Sequence, residues 1–227
     1  MKTVIFDLDG TLADTSADLI AAANHVFETQ GIAPPLDATA DALTAFRGGR
    51  AMLRLGWSRV DGREDEARVD AGYQPLLEFY GNNIARHTQL YPGVRACLAT
   101  LAAEGWALGV CTNKPEGLAR QLLGALELTD SFRALFGADT LSVRKPDPLH
   151  FTETLAALGG SLDQTMLIGD TETDAKTARA VGVPLVLVAF GPEGEGIARL
   201  APDALLLSYS DLPEIAAGLI KTQGKRA

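Results

Sequence analysis

The chain has 227 residues, 47% of them hydrophobic, and 29 acidic against 20 basic side chains give it a formal charge of −9. A length and composition of this kind exclude intrinsic disorder and fit one well-buried core with a second, smaller domain, while the acidic balance argues against nucleic acid and anionic membrane surfaces as partners. No apolar run reaches the length of a spanning helix, and Asp7 and Asp9 interrupt the place where a signal peptide needs an apolar stretch, so a cytoplasmic protein is expected. The two cysteines, Cys97 and Cys111, fall in apolar patterns and read as buried thiols.

In chain order, residues 3–6 form a short apolar run of the kind found in strands buried on both faces. It delivers Asp7-Leu8-Asp9-Gly10-Thr11, in which extended spacing turns both aspartates to one side and Gly10 lets the backbone leave the strand sharply. Residues 14–91 then hold helical patterns and no convincing strand. Thr15 or Ser16 can cap a helix bearing Leu19, Ile20, Ala23, Val26 and Phe27, with Gly31 as its stop, and a later helix carries Leu76, Leu77, Tyr80 and Ile84. Pro92-Gly93 marks the end of this insertion.

Beyond it, strand and helix patterns alternate. Strands are expected over residues 107–111, 166–168 and 185–188, with a further candidate over 204–207, and the helices between them imply right-handed βαβ units and a parallel sheet. Ligands of such sheets bind beyond the carboxyl ends of the strands. There the second strand brings Thr112-Asn113-Lys114-Pro115, with Pro115 suited to the first helical position, so that Thr112 and Asn113 stand at a positive helix end ready for an anion. Lys145 is held out of the helical region by Pro146, and Asp147-Pro148 can cap and start the next helix. The third strand brings Asp170 and, in the first turn of a following helix, Asp174. Three carboxylates, Asp7, Asp9 and Asp170, with Asp174 near them, converge on one sheet edge, and crowded oxygen ligands suit a hard cation such as Mg²⁺. Asp14 and Asp163 read as caps or turn residues, and His25, His87 and His150 as structural or exposed.

These motifs resemble those of the haloacid dehalogenase superfamily, with Asp7 to Thr11 as the first motif, Thr112 as the second, Lys145 as the third, and Gly169, Asp170 and Asp174 as the fourth. The resemblance runs nearly end to end and implies a doubly wound, Rossmann-like α/β core over 1–14 and 91–227 with a small helical cap domain over 15–90. It also implies roles: Asp7 as nucleophile, Asp9 as general acid and base, Thr112, Asn113 and Lys145 as phosphate ligands, and Mg²⁺ on Asp7, the carbonyl of Asp9 and Asp170, supported by Asp174. Within the superfamily, Tyr91 to Val94, Cys111 to Pro115 and Arg144 to Pro148 are most similar to bacterial phosphoglycolate phosphatases, whereas the Gly- and Glu-rich residues 190–196 depart from them. The expected substrate is a small phosphorylated metabolite, 2-phosphoglycolate first, with a sugar-phosphate phosphatase, a phosphosugar mutase or a catalytically silent phosphate-binding relative as alternatives, in a monomer or homodimer. In the cap, Arg47-Gly48-Gly49-Arg50 places a flexible double glycine between two guanidinium groups suited to a carboxylate, the alternative being a solvated turn.

Overall fold

The computed structural model describes residues 1–223. In chain order the strands are β1 (Thr3–Phe6), β2 (Ala13–Asp14), β3 (Gln89–Leu90), β4 (Ala107–Cys111), β5 (Ala134–Phe136), β6 (Thr165–Gly169), β7 (Leu185–Val188) and β8 (Ala204–Leu206). The helices are α1 (Ser16–Glu28), α2 (Ala42–Ala45), α3 (Gly49–Asp61), α4 (Glu66–Asn82), α5 (Val94–Ala103), α6 (Glu116–Ala125), α7 (Pro148–Leu158), α8 (Glu172–Val181) and α9 (Leu212–Gln223). Contacts divide the chain into two compact units, Met1–Ala13 with Leu90–Ala227, and Asp14–Gln89. The chain crosses between them at β2 and β3, which pair as a two-stranded sheet.

The first unit is a six-stranded parallel sheet in the order β5-β4-β1-β6-β7-β8, the doubly wound, Rossmann-like arrangement expected from the alternation. Because the order turns back between β1 and β6, the connections leave that point in opposite directions and open a crevice at the strand ends. Register then decides what meets there. Phe6 lies level with Val110 and with Ile168, so the residues that follow β1, β4 and β6 emerge at one height. Val4, Ile5 and Phe6 are completely buried, as sequence runs without alternation require of strands covered on both faces. Ile5, Cys111, Phe151, Leu155, Leu167 and Leu187 share one hydrophobic cluster.

The strand Ala134–Phe136 has no counterpart among the expected strands: it is three residues long at the sheet edge, too short for a periodic signal. The last strand stops at Leu206, and Leu207 is 61% exposed. Pro115 is the capping residue of α6 and not its first helical residue, since its ψ of 137° is extended.

The second unit is helical. Phe27 of α1 and Trp57 of α3 pack their rings at a tilt with centroids 4.7 Å apart, and Val26, Leu53, Val69, Leu76 and Tyr80 are buried with them. Helix α1 starts after Thr15, but the cap is supplied by Asp14, whose Oδ1 accepts from the Ser16 amide at 3.0 Å and hydroxyl at 2.6 Å. The later helix begins at Glu66, runs through Pro75 and carries Leu76, Leu77 and Tyr80, but it ends at Asn82 and leaves Ile84 outside. Among the described residues no helix is long and apolar enough to cross a membrane.

Candidate active site

Asp7 stays in the sheet through its backbone, its N–H donating to Ile168 O at 2.9 Å, and its side chain is thereby carried to the strand-end crevice. The chain then turns: Gly10 takes φ +77°, its N–H donates forward across the turn to Ala13 O at 2.9 Å, and Leu12 N–H donates to Leu8 O. Asp9 therefore lies on a turn and not on a continued strand. The two aspartates meet different lysines. Lys145 Nζ lies 3.0 Å from Asp7 Oδ2 and 2.6 Å from Asp174 Oδ1, whereas Lys114 Nζ donates to both oxygens of Asp9, at 2.9 and 3.0 Å.

Asp174 is fixed from its own helix start. Its Oδ2 accepts from the Thr171 amide at 3.0 Å, the Thr171 hydroxyl at 2.7 Å and the Asp170 amide at 3.2 Å, forming a capping box at the head of α8. Gly169 is required by this arrangement, because a Cβ there would sit 2.4 Å from Asp174 Cγ. Asp170 accepts from the Thr11 hydroxyl at 2.8 Å, and the Thr11 carbonyl accepts from the buried Tyr209 hydroxyl at 2.7 Å. Ligand oxygens of Asp7, Asp170 and Asp174 all lie within 4.8 Å of one another.

Electrostatics follow from this crowding. Burial raises the Asp7 carboxyl to about 6 against the pull of Lys145, with Asp174 adding to the rise. Burial and then the neighbouring Asp174 and Asp7 push Asp170 well above the ordinary carboxylate range. For Lys145 burial opposes the charge, but Asp174 and Asp7 outweigh it and its pKa rises. One ammonium does not balance three buried carboxylates, and an all-oxygen set of this charge fits a hard divalent cation.

Thr112 is buried, and its Oγ1 accepts from the Lys114 amide at 3.2 Å, within its own loop. Asn113 is exposed and ties two loops together by donating to Lys145 O at 2.9 Å. Asp147 caps α7 at the Leu149 amide, one step after a cis Lys145–Pro146 bond. The Arg47-Gly48-Gly49-Arg50 stretch is not a flexible loop as expected: Gly48, at φ +95°, is the cap of α3, and Gly49 and Arg50 are its first turn. Arg50 pairs with Asp70 and lies 4.6 Å above the Tyr73 ring, whereas Arg47 is exposed. His150 is buried, bridging Cys111 Sγ at 3.3 Å and Gly137 O at 2.9 Å, a structural role. Burial lifts both Cys97 and Cys111 thiols to about 12.

Two residues of the site, Lys114 and Thr11, had no assigned role in the sequence reading. Their partners lie 105 and 159 positions away, so only topology joins them. A lysine directly after the anion-suited Thr-Asn pair was the available signal.

A doubly wound sheet whose central strand ends present Asp7, Thr112 and Asp170, with Lys145 between the acids, defines a class of hydrolase. The chain belongs to the haloacid dehalogenase-like hydrolase family, whose model matches residues 4–188. Its relatives include the phosphoglycolate phosphatase of Mesorhizobium japonicum, 36% identical over 222 residues with 97% of each chain covered. The phosphoglycolate phosphatase of Caulobacter vibrioides is 38% identical over 218 residues, covering 96% of this chain and 92% of its own. A crystal structure from Haemophilus somnus, described as a predicted phosphoglycolate phosphatase, superposes with a TM-score of 0.83 at 25% identity, covering 95% of this chain and 97% of the other.

Proposed function

We propose that the protein is a Mg²⁺-dependent phosphomonoester hydrolase acting on 2-phosphoglycolate through an aspartyl-phosphate on Asp7. The observation that carries this reading is the buried trio Asp7, Asp170 and Asp174 with Lys145 bonded to two of its members. Full-length similarity to phosphoglycolate phosphatases supports the choice of substrate.

In this reading an Asp7 carboxylate oxygen attacks phosphorus in line with the ester oxygen, which leaves with a proton from Asp9. Asp9 then takes a proton from the water that hydrolyses the acyl-phosphate, releasing inorganic phosphate and restoring Asp7. Lys145, Thr112 and Asn113 bind the phosphoryl oxygens and offset their charge, the Thr112 hydroxyl donating its O–H to the substrate while its oxygen keeps accepting from the Lys114 amide. Asp7, Asp170 and the Asp9 carbonyl would hold Mg²⁺, with Asp174 orienting its surroundings. The ion supplies neutralisation of the charge that builds on the phosphoryl group. In this reading the unit Asp14–Gln89 is the expected cap, and Arg47, exposed on it, is the candidate for recognising the substrate carboxylate, to which a guanidinium can offer a planar pair of donors.

The test is a panel of phosphomonoesters compared by kcat/KM, with Mg²⁺ and with EDTA. Preference for 2-phosphoglycolate and silence in EDTA are expected. Preference for a sugar phosphate would move the substrate, phosphoryl transfer to a second sugar phosphate would make the protein a mutase, and full activity after metal removal would end the Mg²⁺ assignment.

A further inference from the structure

The site contains two buried lysines, and they divide between the two aspartates of the first loop. Lys145 belongs to Asp7 and is shared with Asp174, while Lys114, with 3% of its side chain exposed, lies against both oxygens of Asp9. If Asp7 attacks phosphorus and Asp9 serves the leaving oxygen, the two ammonium groups mark opposite ends of the substrate. Lys145 stands at the phosphoryl end and Lys114 at the leaving-group end.

The leaving group of 2-phosphoglycolate carries its carboxylate one methylene away from the ester oxygen. A substrate oxygen presented to Asp9 therefore brings that carboxylate within reach of the ammonium already seated there. The need for a cation is strong, because the substrate's second anion must enter among Asp7, Asp9, Asp170 and Asp174. The lysine is also held in position from its backbone. Its N–H donates to Thr112 Oγ1, its carbonyl accepts from Ala138 N–H at 2.9 Å, and Gly137 packs so tightly that a Cβ there would lie 2.7 Å from the Lys114 carbonyl oxygen.

We propose that Lys114 is a specificity-determining residue that binds the substrate's carboxylate. On substrate entry its ammonium passes from Asp9 to that carboxylate, and the Asp9 oxygens turn to the ester oxygen. This inference rests on the phosphoglycolate reading above and adds to it a contact carried by the sheet-bearing unit itself.

The experiment compares the full-length enzyme with its Lys114→Met variant, in Mg²⁺, on 2-phosphoglycolate and on 2-hydroxyethyl phosphate, which replaces the carboxylate by a neutral CH₂OH. Both substrates suffer, because Asp9 also loses its partner. The expected loss in kcat/KM is about 30-fold larger for phosphoglycolate, expressed mainly in KM, as suits a lost charge-assisted contact. Lys114→Arg should recover part of the preference. Should Lys114→Met fail to fold, Lys114→Gln makes the same comparison, since its amide still bonds Asp9. If the wild type prefers phosphoglycolate but the variants lose equally on both substrates, or lose nothing, Lys114 does not read the carboxylate. A wild type that shows no preference overturns the substrate reading itself and this inference with it.

Discussion

Asp7 has to be ionised to act as a nucleophile, yet burial holds its carboxyl at about 6. Asp7→Asn keeps the shape and removes the proposed nucleophile, so turnover should fall on the order of 10³-fold or more, with circular dichroism unchanged. Asp9→Asn should still be phosphorylated by a substrate with a good leaving group and then stall, visible as a stable phosphoenzyme by intact mass. Wild-type turnover in Asp7→Asn would rule out the covalent route. The raised pKa also has a sign for stability. Between the ordinary value of 3.8 and about 6 the folded protein binds a proton that the unfolded chain releases, so the contribution of Asp7 is present at low pH and lost as pH rises through about 6. Urea melts in EDTA should therefore show wild type weakening between pH 5 and pH 7.5 relative to Asp7→Asn, by about 1.4 kcal/mol. Mg²⁺ should abolish the difference. No change in that difference between the two pH values would mean that the carboxylate is not strained by its burial.

At the scale of elements, the junction of β6 and α8 leaves no room for a side chain. Gly169→Ala would put its Cβ 2.5 Å from Asp174 Cβ, and a cost of about 1 to 3 kcal/mol in stability together with weaker Mg²⁺ binding by calorimetry is expected. An unchanged Mg²⁺ affinity would show that α8 yields without moving Asp174. The first turn of α3 separates two arginines that look equivalent in sequence. Arg50→Ala should cost about 1 kcal/mol of stability through Asp70 and Tyr73, whereas Arg47→Ala should raise KM for phosphoglycolate several-fold with stability unchanged. Equal behaviour of the two variants would remove the reason for assigning Arg47 to substrate. That distinction was not legible in Arg-Gly-Gly-Arg, because the pattern suggests a loop and the helix is set by packing of Gly49 against Tyr73 and Leu76. The central buried strands were legible, since continuous apolar runs have few other uses in a chain of this kind. The edge strand Ala134–Phe136 was not, because its pairing with β4 is a long-range event that three residues cannot announce. The acidic motifs could be placed at strand ends by spacing alone. Which lysine each aspartate would meet could not, since neither contact is local in sequence.

On the whole-molecule scale, the first loop is finished by residues from the far end of the chain. The Tyr209 hydroxyl reaches Thr11 across 198 positions, and the ring packs 5.5 Å from that of Phe190, which in turn lies 4.7 Å from Tyr91. Tyr91 donates its own amide to Leu12 O, so the turn after Asp9 is held at two successive carbonyls from outside. Tyr209→Phe leaves the Thr11 carbonyl without that donor, and a stability loss of about 1 to 2 kcal/mol with weaker Mg²⁺ binding is expected, the second because Thr11 orients Asp170. A Mg²⁺ isotherm identical to wild type would separate the two ends of this chain of bonds. The same tie has a meaning for biosynthesis. The donor that fastens the loop of the aspartates is made 198 positions after Thr11. A nascent chain arrested before Tyr209 would carry every acidic residue of the site and still lack the fastening, so the onset of metal affinity during translation should mark the emergence of Tyr209 and not of the first motif.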